Sequence, residues 1–147
     1  LERNILRNLA VAGCTVTIPA EPHLDRRDPN KITLTAKFCG FEYGLVVSRS
    51  PMSRMAVQLG SERFLQEASG SLARSLGAQV ASSKAIRCGR HSGLAATLDA
   101  ADRDAEIQVH WFLVGDRLIC LNVSGPKGSL NDENAGRFFA SLPLLDR

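Results

Sequence analysis

AEIQVHWFLVGDRLICLNVSGP, residues 105–126, reads as two β-strands folded back on Gly115-Asp116. Glycine accepts φ > 0 at the first central position of a type I′ or II′ turn, and the twist of those turns suits a two-residue hairpin. With Val114 and Arg117 flanking the turn, Leu113 faces Leu118, Phe112 faces Ile119, Trp111 faces Cys120 and His110 faces Leu121. Side chains alternate along a strand. One face is then Ile107, Val109, Trp111, Leu113, Leu118 and Cys120, with Asn122 at its end. The other is Gln108, His110, Phe112, Val114, Ile119, Leu121 and Val123. An antiparallel hairpin usually keeps one face wet. Both faces here are largely apolar, which predicts a hairpin near the centre of its sheet.

The remaining segments extend that sheet. CTVTIP (14–19) alternates and ends at a proline, whereas AEPHLDRRDPN (20–30) is broken by Pro22 and Pro29 and reads as a loop. Ile32, Leu34, Ala36 and Phe38 predict a second strand, and Phe41, Tyr43, Leu45 and Val47 a third, joined at Cys39-Gly40. Phe64, Leu65, Ala68, Leu72 and Leu76 recur at three-to-four spacing and predict a helix. Ser61 is its expected N-cap, Glu62 complements the dipole, and Gly77 is the expected stop. Gly70 inside it suggests a strand backbone passing close by. AQVASSKAIRC and GLAATLDAA read as a strand pair turning between Gly89 and Gly93. After Gly125-Pro126-Lys127-Gly128, Asn131 or Ser129 would cap a closing helix whose stripe is Ala135, Phe138, Phe139 and Leu142.

The expected architecture is a single α+β domain. Its antiparallel sheet has about six to seven strands, with one long central helix and a C-terminal helix packed on it. Residues 1–12 form an N-terminal extension, a short helix or an ordered tail, and residues 13–147 form the domain.

Composition narrows the function. A chain of 147 residues is long enough for one domain with a sizeable core. The net charge of +3 is spread thinly, with Arg26-Arg27 the only adjacent basic pair, so the stripe that a nucleic-acid binder needs is missing. No apolar run is long enough for a transmembrane helix. Val11-Ala12-Gly13-Cys14 resembles a lipobox, but LERNILRN before it lacks the apolar core of a signal peptide. Cys14 also fits the alternation of a strand, and that reading is preferred.

Cys14, Cys39, Cys88 and Cys120 each sit in or beside an apolar strand, so packed free thiols are expected, although the sequence leaves disulfides open. Cys88-Gly89-Arg90-His91 offers two ligands where a structural zinc needs four. Asp99, Asp102, Asp104 and Glu106 cluster at a turn and read as solvated loop charge rather than a calcium site. Neither a metal nor a cofactor is expected. His23, His91 and His110 lie in no nucleophile motif, and phosphate-binding glycine motifs are absent. His110 stands out as a polar residue on a mostly apolar strand face.

The chain resembles the PsbP/Mog-type fold and the bacterial domains of unknown function that share it. The resemblance rests on CTVTIPAEP, FLQEASGSLARSLGAQV, GRHSGLAATL, HWFLVGDRLICLNVSGPKG and DENAGRFFASLPL, and spans residues 13–145. Relatives of that kind include a photosystem II extrinsic subunit, a Ran-binding nuclear-import factor and bacterial envelope lipoproteins. The resemblance implies binding or accessory work with a protein partner rather than catalysis. It also implies a place at the bacterial envelope if an upstream signal or anchor exists, and the cytoplasm otherwise. Candidate binding residues are His110 and the loop arginines Arg26, Arg27, Arg49 and Arg54. The competing expectation is a small-ligand or hydrolytic domain using a cleft near His110 or His91.

Overall fold

The computed structural model describes residues 7–11, 14–18, 23–38, 40–49, 60–88, 91–100, 102, 104–114, 117–128, 136, 138 and 139. Nine strands and one helix are defined among them. They are β1 (Arg7–Val11), β2 (Cys14–Ile18), β3 (His23–Asp28), β4 (Lys31–Phe38), β5 (Phe41–Arg49), α1 (Ser61–Ser75), β6 (Gln79–Cys88), β7 (His91–Ala100), β8 (Ala105–Val114) and β9 (Arg117–Pro126). β1 and β2 pair as a two-stranded sheet. The other seven form an antiparallel sheet in the order β3-β4-β5-β9-β8-β7-β6.

The central hairpin is where its alternation puts it. β9 is the middle strand of the seven and β8 lies beside it. Their register pairs Leu113 with Leu118, Phe112 with Ile119, Trp111 with Cys120 and His110 with Leu121, as the sequence requires. Both faces are buried. On one, Leu94, Ala96, Leu98, Ile107, Val109, Trp111 and Cys120 pack against Phe64, Leu65 and Ala73 of α1. On the other, Leu34, Tyr43, Leu45, Val47, Phe112, Val114, Ile119, Leu121 and Val123 pack around Phe138, which is fully buried. Tyr43 meets the Phe138 ring edge-on, with centroids 5.5 Å apart.

The expected α+β architecture is corrected: the described residues are mainly β, with one helix of 15 residues among them rather than a long central helix. Two stretches read as non-strand shift that balance. The helix or tail expected within residues 1–12 contains β1, and the loop expected over 20–30 contains β3. Neither HLDRRD nor RNLAV carries the long apolar alternation that marks a buried strand. The closing helix is not among the defined elements. Of its expected stripe only Phe138 and Phe139 are described, and together with Gly136 they are helical in conformation. Asn131, Ser129, Ala135 and Leu142 lie outside the described residues, as does the Gly115-Asp116 turn.

The cap of α1 lies one residue before the expected Ser61, which is instead the first helical residue. Gly60, at φ 84°, is the N-cap, and its carbonyl accepts from the Phe64 N–H at 3.0 Å. At the other end the Ala78 N–H donates to the Ala73 carbonyl and the Gly77 N–H to that of Arg74. This is a Schellman closure, with Gly77 at φ 67°. Gly70 is not held by a passing strand, because a Cβ there would meet only the Arg74 guanidinium at 3.5 Å. Gly93 is constrained instead. A Cβ on it would collide with the Trp111 carbonyl and the Phe112 ring across the β7–β8 pair.

Candidate functional site

Cross-strand register carries polar residues across the Phe138 face of the sheet, on the side away from β4. Lys84 pairs with Ala95, Ala95 with His110, and His110 with Leu121. One row further on, Ser82 pairs with Thr97, Thr97 with Gln108 and Gln108 with Val123. Each row turns from apolar at β9 to polar or small at β6. Among the described residues these two rows are thus covered over β4, β5 and β9 and open over β7 and β6, while in the next row Ile86 of β6 packs against the Phe138 cluster. An open cavity of about 330 Å³ marks the open half, lined by Ser82, Lys84, Thr97, Gln108 and His110 with Ala95 at its floor.

His110 stands at the seam. Its ring stacks on Phe139 with centroids 4.0 Å apart and an interplanar angle of 23°. Burial pushes its pKa down to about 4, and the Lys84 ammonium adds to the shift. The imidazole is therefore neutral at pH 7 and offers one donor and one acceptor. With the serine, threonine and glutamine side chains it makes a hydrogen-bonding trough with a single cation.

The other sequence candidates are elsewhere. His23 begins β3, opposite Thr35, and His91 begins β7, opposite Cys88, so the three histidines sit on three different strands. Arg27 is exposed on β3 and is bound to Asp25, with Nη2 2.7 Å from Oδ2 and the backbone N–H also donating to Oδ1. That hydrogen bonding holds the Asp25 carboxyl well below the usual carboxylate range. Arg26 lies on the same strand, and Arg49 ends β5 opposite Arg117. The register Asp28–Lys31–Ser48 brings the end of β3 and the end of β5 to one end of the sheet. Arg26, Arg27 and Arg49 are gathered there, away from His110. The side chains of Arg26 and Arg49, and the whole of Arg54, lie outside the described residues.

Of the turn carboxylates, that of Asp99 is held by a lysine. Lys127 Nζ is 3.0 Å from Asp99 Oδ2, and its backbone N–H donates to the carbonyl of Asp104, which stands at φ 50°. Among the described residues no three His, Cys, Asp or Glu side chains are placed to hold a metal ion. Cys120 is a free, buried thiol whose pKa burial pushes up to about 12, so it is packed and inert. Cys14, Cys39 and Cys88 fall outside the described side chains.

The sequence pointed to His110 but not to its neighbours. Ser82, Lys84, Thr97 and Gln108 are ordinary polar residues on three strands, and only the register makes them one surface. No protein-family model and no curated protein matches the chain. The PsbP/Mog resemblance therefore rests on the residues quoted for it.

Proposed function

We propose that the chain is a non-enzymatic binding module whose partner is a protein segment added as a strand to β6. The observation that carries this reading is the outer edge of β6. Among the described residues this strand of ten residues is paired with β7 on one side only, and residues 79–85 are all exposed. A sheet edge with free N–H and C=O groups is a template for strand addition, where main-chain hydrogen bonds give affinity and flanking pockets give selectivity. The polar trough beside β6 is such a flanking surface.

A display library of extended peptides, selected on the immobilised chain, tests the reading. Amide hydrogen exchange of the strongest binders' complexes is expected to slow along β6. A footprint at the β3 end of the sheet, with β6 unchanged, would overturn it. The second reading is a small-ligand cleft at His110, favoured by the cavity of about 330 Å³ and its neutral imidazole. Chemical shift changes confined to His110, Gln108 and Thr97 on screening small polar molecules, with β6 amides unmoved, would select it.

A further inference from the structure

We propose that the strand received at β6 carries an acidic residue opposite Lys84, with its carboxylate in the polar trough against the Lys84 ammonium. The proposal rests on the reading of β6 as a receiving edge and names the chemistry of what that edge receives. Residues 79–88 hold two cations, Lys84 and Arg87, and no acid. The register of β6 is irregular only between Val80 and Ser82 and runs unbroken from 82 to 88 against β7. A strand added along that span keeps regular alternation, so each of its side chains has a fixed side.

The two cations point to opposite faces and meet different surroundings. Directly opposite residues in a strand pair share a face, so the residue opposite Lys84 looks into the trough. There Ser82, Thr97, Gln108 and His110 offer hydrogen bonds, and among the described residues no carboxylate lines the wall. The acids on that face stand two rows away, where Asp99 pairs with Glu106 and is held by Lys127. The neighbours of the incoming acid, opposite Ser83 and Ala85, look instead to the α1 side. An open hollow of about 520 Å³ lies there, lined by Glu62, Leu65, Ala85 and Arg87. Arg87 therefore has an acid in its own hollow, whereas Lys84 has none. Lys84 is the cation left for a partner, and the trough beside it is shaped for one carboxylate with neutral residues around it.

The display library is selected on the wild type, on Lys84→Glu and on Arg87→Glu, and amide exchange of β6 places each winning peptide. Lys84 and Arg87 are exposed, and thermal melts of each variant check that the fold is retained. Wild-type β6 binders are expected to be enriched in Asp or Glu at one position between neutral residues. Replacing that acid by Gln should weaken binding about threefold to fivefold, and Lys84→Glu should weaken the acidic peptides about tenfold. Peptides selected on Lys84→Glu should carry Lys or Arg at the same position, while Arg87→Glu should keep the acidic preference. β6 binders without an acidic preference, or a preference that survives Lys84→Glu, overturn the proposal and leave strand addition standing. A preference lost with Arg87→Glu instead overturns the placement in the trough. A library that yields no β6 binder removes the reading of the edge, and this proposal with it.

Discussion

The two outer strands of the seven-stranded sheet, β3 and β6, meet solvent in opposite ways. β3 has six residues, HLDRRD, and its register shifts between Asp25 and Asp28. Asp25 turns back on its own strand to hold Arg27 through the backbone N–H and the guanidinium. Short length, charge and a bulge are the devices by which proteins keep an edge from pairing. β6 has ten residues, small or neutral over much of its length, and it runs without irregularity from 82 to 88. One edge is closed by its own side chains, and the proposed reading of β6 as a receiving edge rests on the contrast.

The contrast requires a rigid interior that holds β6 in place, so the largest effects belong inside. Trp111→Ala removes a large side chain, 6% exposed, from beneath α1 and should destabilise by about 3–5 kcal/mol in chemical denaturation. A loss below about 1 kcal/mol would mean that α1 and the sheet are not packed as described. Gly93→Ala acts one strand from the edge. Its new Cβ would meet the Trp111 carbonyl, which is backbone and cannot step aside, so a loss of about 2–3 kcal/mol is expected. If Gly93→Ala were neutral, β7 would not lie against β8 as closely as the trough needs.

His110 sharpens the comparison at the seam between the covered and open halves. Its folded pKa of about 4 lies below the ordinary 6.5, so between these values the unfolded chain binds the extra proton. Stability should be fully present above about pH 6.5 and fall by about 2 kcal/mol as pH drops toward 4, a figure already discounted for solvent at the ring. Urea midpoints across that window measure it, with His110→Phe as the variant that should lose the dependence. An unchanged slope in the variant would place the titration elsewhere.

Smaller effects belong to α1 and the edge itself. Gly70→Ala should stabilise by about 0.5–1 kcal/mol, because only the end of a flexible arginine lies near the new methyl group. A destabilisation on thermal melting would mean that the helix lies closer to a neighbour than the 3.5 Å guanidinium contact allows. Ala85→Lys should leave the fold within about 0.5 kcal/mol of wild type, as expected for an exposed site away from caps and core.

The hairpin was legible because its two strands are apolar on both faces and meet at a glycine turn, a pattern that only a strand pair inside a sheet can bury. β3 was not legible. HLDRRD has neither an apolar face nor a helical period, and its strand character comes from pairing with β4. β1 was hidden for a similar reason. α1 was readable from its stripe and Gly77, while the spacing of Ala135, Phe138, Phe139 and Leu142 satisfied a helical template that the described elements do not extend into a C-terminal helix. At the site, His110 showed itself as a polar residue on an apolar face. Lys84, Ser82 and Thr97 could not, since three strands must be aligned before they share a surface.

Backbone amide exchange on residues 82–88 and 23–28, followed with and without a selected extended peptide, tests the difference between the two edges most directly. Outward-facing amides of β6 should exchange quickly in the free chain and become protected when the peptide is added, while those of β3 stay unprotected throughout. Protection that appears on β3, or β6 amides that exchange alike with and without the peptide, would contradict the assignment of β6 as the pairing edge.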